Sequence, residues 1–117
     1  MTIKRIGAGN RMSKAVIHEG KVYLSGLVAE KAVGKSVKEQ TQDILGQIAD
    51  LLKQAGSDKT KILKANIWLT DIKTWADMNT VWDKWVSPGN TPARATVEAK
   101  LAAEGLKVEI MVQAAIG

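Results

Sequence analysis

Three patterns in the 117-residue sequence predict an α+β fold, a mixed sheet covered on one face by two helices. Residues 62–69 and 107–115 alternate apolar and polar side chains with the two-residue period of a strand. Residues 37–55 instead repeat apolar side chains every three or four positions, the period of an amphipathic helix. Strand-like and helix-like segments interleave as β-β-α-β-α-β-β, with a hairpin at each end, so the sheet should mix parallel and antiparallel neighbours.

The elements justify themselves in order. "AVIH" at 15–18 and "VYLSGL" at 22–27 are apolar runs separated by Glu19-Gly20, where glycine accepts the positive φ of a tight turn, and they read as a hairpin. Residues 30–35 are a polar connection. Ser36 with Glu39 has capping-box spacing and opens the first helix. Val37, Thr41, Ile44, Leu45, Ile48 and Leu51 belong to its stripe, and Gly56 ends it. In 62–69 the alternation puts Leu63, Ala65, Ile67 and Leu69 on the drier face.

Thr70-Asp71 or Thr74 can cap a second helix reaching Val86, with Trp75, Met78, Trp82 and Trp85 on its packed side. A stripe of this kind is packing against a sheet rather than a cofactor box. "SPGN" at 87–90 is a turn, and Pro92 keeps Thr91 extended. Strands over 93–99 and 107–115 close the chain. Two helices cover one face only. The other face, expected to carry Arg94, Thr96, Glu109, Met111 and Trp68, is too apolar to stay wet and is a candidate symmetric subunit interface.

Length predicts one domain over residues 1–117. No cysteine is present, which excludes disulfides, thiolate metal sites and a cysteine nucleophile. The N-terminal residues lack a signal-peptide pattern and no window is apolar enough for a membrane span, so a cytoplasmic protein is expected. The net charge of +5 comes from 17 cations, of which 14 are lysines without a run of four. Phenylalanine is absent and there is one tyrosine, so stacking platforms for nucleic acid are scarce.

Few residues remain for chemistry. His18 is the sole histidine and reads as a surface turn residue, which leaves catalytic triads and multi-histidine metal sites without support. "GAGNRM" at 7–12 lacks the third glycine of a dinucleotide fingerprint and reads as a flexible loop. Arg94 is one of three arginines and follows a Pro-Ala strand start. Its planar fork matches a carboxylate bidentately. Glu109 lies on the next strand in sequence and shares a pocket with Arg94 if the two strands are close. Equally, each is an ordinary ion pair or a solvated edge charge.

"PARATVEAKL" and "KVEIMVQAA" together resemble the C-terminal signature of the RidA (YjgF) family. "VYLSGLVA" and the segment from Gln40 to Ile72 extend the resemblance over essentially the whole chain. The resemblance implies a chorismate-mutase-like (YjgF-like) fold forming a homotrimer, with sheets inside and clefts at the subunit boundaries. It implies hydrolysis of 2-aminoacrylate-type enamines and 2-imino acids to 2-keto acids and ammonia, without cofactor or metal. Arg94 falls on the family's carboxylate-binding arginine and Glu109 on the glutamate that positions water. Ser25 and Gly26 match the small pocket segment, and Thr96 lies where backbone lines the site. Met12 or Ser13 stands where many members carry a pocket tyrosine, and Arg11 is a further candidate there.

Two other functions fit the same residues. A regulatory module could hold a 2-keto acid on Arg94 without turnover. An endoribonuclease or translation inhibitor, labels that some family members carry, would show a steep salt-dependent affinity for RNA.

Overall fold

The computed structural model describes residues 2–117. Among them, seven strands form one sheet: β1 (Lys4–Ile6), β2 (Ala15–His18), β3 (Lys21–Leu24), β4 (Leu27–Val28), β5 (Ile62–Leu69), β6 (Ala93–Glu98) and β7 (Val108–Ala115). Their spatial order is β1-β2-β3-β7-β5-β6, with β4 also paired to β7. Helices α1 (Val37–Gln54) and α2 (Trp75–Trp85) cover one face. The result is a slab 43 × 38 Å across and 21 Å thick, two layers deep.

Local chemistry explains the secure elements. Glu19 (φ 50°) and Gly20 (φ 77°) are both left-handed, the geometry of the two-residue turn that matches strand twist. The Ser36 side chain accepts the Glu39 N–H at 3.2 Å, and Gly56 at φ 81° follows the last turn of α1. The stripe of α1 lies over β7 and the neighbouring β4 and β3, and Ile44, Ile48, Leu52, Ile67 and Ile110 are each at most 1% exposed.

One buried polar side chain ties the layers. Gln40, with no solvent exposure, donates to the carbonyls of Lys35 (3.0 Å) and Gly105 (2.7 Å) and accepts from the Lys107 N–H (2.9 Å). Asp43 similarly accepts the N–H groups of Glu30, Lys31 and Ala32 at 2.8–2.9 Å. Partial burial opposes its ionisation, but these bonds and one from Gln47 together hold the carboxyl below its ordinary range. Gln40→Leu should cost about 1–3 kcal/mol, chiefly by stranding the Lys107 N–H, since the Gly105 carbonyl keeps its bond from the Gly34 N–H. The urea midpoint at fixed protein concentration measures this, and an unchanged midpoint would refute it.

Several expectations are corrected. A short strand, β1, pairs with β2 just before the loop at 7–12. "VYLSGL" is broken at Ser25-Gly26 into β3 and β4, which pair with different parts of β7. Leu63 is 46% exposed because the register slips between Ile62 and Lys64, turning Ile62 into the core instead. Trp75 is 49% exposed at the first position of α2, outside the stripe of Met78 and Trp82. Asp71 caps a 3-10 turn leading into α2, whereas Thr74 makes no side-chain cap.

The largest correction concerns β6 and β7. They form no hairpin, because β5 lies between them, antiparallel to β7 and parallel to β6. The crossover through α2 makes that parallel pair, as such connections require. Register then decides the faces. Arg94 sits opposite Ala65, and Thr96 opposite Ile67, both core-facing positions. Arg94 and Thr96 therefore point to the helical side, not to the open face. Glu109 and Met111 lie opposite Trp68 and Asn66 and do face outward, as expected.

Candidate active site

Arg94 begins the edge strand β6 and reaches across to α2. Its Nη1 donates to Asn79 Oδ1 at 2.8 Å, and its guanidinium carbon lies 5.4 Å from the Trp82 ring centre. Burial lowers the Arg94 pKa and nearby Asp83 opposes that shift. Arginine remains charged at neutral pH regardless. No carboxylate lies within ion-pair distance of Arg94 among the described residues. The group is held by an amide and an indole, and its cationic charge is left unpaired. Two residues along, Thr96 Oγ1 is buried without a hydrogen-bond partner.

Glu109 is the second residue of β7, paired with Val28 of β4, and its side chain reaches Gly26 at the break between β3 and β4. Burial raises its pKa from the ordinary value of 4.5. Gly26 leaves the space its carboxylate fills: a Cβ on Gly26 would overlap Glu109 Oε2 and lie 3.0 Å from Cδ. Sequence resemblance paired Ser25-Gly26 with Glu109 in one pocket, and the structure brings Gly26 and Glu109 into contact. The neighbouring Ser25 N–H donates to the Lys14 carbonyl at 2.9 Å, fixing the break. Gly26→Ala should push the Glu109 carboxylate out of this position. Glycine is needed here for space rather than for a positive φ. A crystal structure of Gly26→Ala with an unmoved Glu109 side chain would contradict this.

The structure does not bring Arg94 and Glu109 together within one chain. Arg94 is level with Ala65 and Val112, while Glu109 is level with Trp68. Two strand spacings and three residues of rise separate them by about 14 Å, and they point to opposite faces. Met12 is 55% exposed in the loop before β2, and Arg11 beside it is also exposed. His18 ends β2 with Nε2 3.9 Å from Glu19 Oε1, a surface turn pair as expected. A groove of about 470 Å³ does exist, between α1 and α2, lined by Lys38, Leu45, Gly46, Lys84 and Trp85. Neither candidate residue borders it.

Asn79 and Trp82 were not legible as site residues. Trp82 was read only as helix packing, which it also provides at 5% exposure. The available signal was an asparagine in the interior of a helix three residues before a buried tryptophan.

A single mixed sheet with two helices on one face, an unpaired arginine on its edge strand and a half-buried glutamate on β7 defines a YjgF-type α+β protein. A family model described as Endoribonuclease L-PSP matches residues 2–116, and the chain belongs to this family, which includes the YjgF and RidA proteins. A RutC family protein of Haemophilus influenzae is 46% identical over 112 residues, covering 96% of this chain and 97% of the relative. The crystal structure of a YjgF family member from Neisseria meningitidis superposes with a TM-score of 0.96 at 45% identity, covering 100% of this chain and 97% of that one. A relative in Arabidopsis thaliana, 32% identical over 103 residues, is named Reactive Intermediate Deaminase A, chloroplastic. The match covers 84% of this chain and 54% of that protein. No helix among the described residues is long and apolar enough to cross a membrane.

Proposed function

We propose that this protein hydrolyses 2-imino acids and their enamine tautomers, of the 2-aminoacrylate, 2-iminopropanoate and 2-iminobutanoate type, to 2-keto acids and ammonia. The site is assembled between copies of the chain in a homotrimer. Arg94 of one copy binds the substrate carboxylate, and Glu109 of a neighbour assists the attacking water. Water adds to the imine carbon, giving a carbinolamine. Collapse of that species expels ammonia and leaves the carbonyl.

The observation that carries this reading is the unpaired charge of Arg94, fixed in direction by Asn79 and Trp82 with guanidinium donors to spare. Such a group is suited to a carboxylate. The imine carbon is already electrophilic, so positioning one water supplies much of the acceleration. Glu109, with its pKa raised above the ordinary carboxylate value by burial, is suited to take a proton from that water and return one to the amine. Its base form is lost as pH falls through that raised pKa. The acid limb of kcat/KM should therefore lie above pH 4.5, and a limb at or below that value would argue against Glu109.

The test couples the protein to a PLP-dependent threonine dehydratase in the presence of semicarbazide, which traps free imine. Added protein should divert imine to 2-keto acid before it is trapped. Undiminished trapping would defeat the hydrolase. If 2-oxobutanoate still bound in an Arg94-dependent way, the chain would be a keto-acid binding module instead.

A further inference from the structure

The way Arg94 is held carries a further consequence for the same site. A guanidinium offers five N–H donors, and in this fold one of them, on Nη1, is taken by a neutral acceptor, Asn79 Oδ1, at 2.8 Å. The Arg94 guanidinium carbon lies over the Trp82 ring, 5.4 Å from the centre, and that ring is itself 5% exposed. The acidic residue nearest in charge, Asp83, makes no ion pair with it. Orientation and neutralisation are separate tasks, and a side chain that performs the first usually performs the second. Arginine on an edge strand is most simply fixed by a carboxylate, which would also occupy the positions a ligand carboxylate needs.

We propose that Asn79 is a positioning residue for the carboxylate site, a neutral clamp that aims Arg94 while leaving its charge for the ligand. The proposal rests on the reading of Arg94 as the substrate anchor. Asn79 lies inside α2, which also carries Trp82, so a single helix supplies both the hydrogen bond and the aromatic ring that hold the guanidinium. The amide is therefore a requirement of charge, not only of shape.

Charge and shape make opposite forecasts for two substitutions. Asn79→Asp keeps the size of the side chain and its acceptor oxygen, and adds an ion pair to Arg94. Asn79→Ala loses the hydrogen bond but leaves the cation free. A purely structural residue would tolerate Asp better than Ala in every measurement.

A clamp instead splits the measurements. Thermal midpoints should rank Asn79→Asp at or above Asn79→Ala, while affinities for 2-oxobutanoate by calorimetry should rank the other way. We expect Asn79→Ala to weaken binding about threefold and Asn79→Asp at least tenfold, because an internal anion competes for the same fork. In turnover, KM for the imino acid should rise in both, with kcat in Asn79→Ala within about twofold of the wild type.

Asn79→Asp binding 2-oxobutanoate as tightly as the wild type, while Arg94→Ala has lost it, overturns the clamp and leaves the anchor standing. Wild-type protein that does not bind 2-oxobutanoate, or binds it equally well as Arg94→Ala, overturns both. Should Asn79→Asp fail to assemble, Asn79→Ala decides alone: a KM unchanged from the wild type overturns the proposal.

Discussion

Arg94→Ala is expected to lower kcat/KM for 2-iminobutanoate by roughly 100-fold or more, since it removes two charge-assisted hydrogen bonds worth about 1.5–3 kcal/mol each. The guanidinium also packs over Trp82, so part of any loss could come from packing alone. Arg94→Met separates the two causes, because it keeps apolar bulk over the indole and removes the fork. If the charge matters, Met should be nearly as inactive as Ala, with a thermal midpoint closer to the wild type. Arg94→Lys should recover only a fraction, because an ammonium is a point charge without the planar pair of donors. An Arg94→Met enzyme retaining more than half of the wild-type kcat/KM would remove Arg94 from the substrate site.

The second large effect is a gain. Arg94→Ala and Glu109→Ala should each be inactive as pure proteins, yet a mixture allowed to exchange subunits should regain activity. Arg94 and Glu109 sit on opposite faces of the sheet, two strands apart, so one chain cannot complete a site. If each site takes its arginine from one copy and its glutamate from the next, random equal mixing in a cyclic trimer leaves about one quarter of the sites intact. Refolding the two variants together and assaying imine diversion against each refolded alone measures this directly. The double variant in one chain, mixed with itself, is the control and should stay inactive. No recovery from a mixture that has demonstrably exchanged would mean that the two residues do not share a site.

How much was legible in advance depended on how local the signal was. The cap at Ser36, the stripe of α1 and the Glu19-Gly20 turn were each readable because a few adjacent residues determine them. Two helices on one face of a mixed sheet followed from counting. The pairing of β6 was not readable, because parallel strands meet through a crossover whose partner no local pattern names. That single omission moved Arg94 and Thr96 to the wrong face, since a strand's parity means nothing until its neighbour's register is known. Leu63 failed for a related reason, as one bulge reverses the alternation on its far side. Gly26 beneath Glu109 was anticipated through resemblance, but the reason for a glycine there, room for a carboxylate, is visible only in three dimensions. Asn79 was missed, because an asparagine inside a helix is unusual enough to notice but does not say what it faces.

The strand order has a consequence for how the chain reaches this shape. The ladder β1-β2-β3 and the pair β5-β6 share no hydrogen-bonded edge except through β7, which is also the only partner of β4. Of the seven strands β7 is the last in sequence, and it is the shared neighbour that joins the two halves of the sheet. Until it arrives, β3 and β5 are open edges on a growing chain, each able to pair with the wrong neighbour. Folding should therefore wait for the last strand to leave the ribosome and close the sheet in one late step. The burden of this topology falls on folding kinetics rather than on the finished sheet.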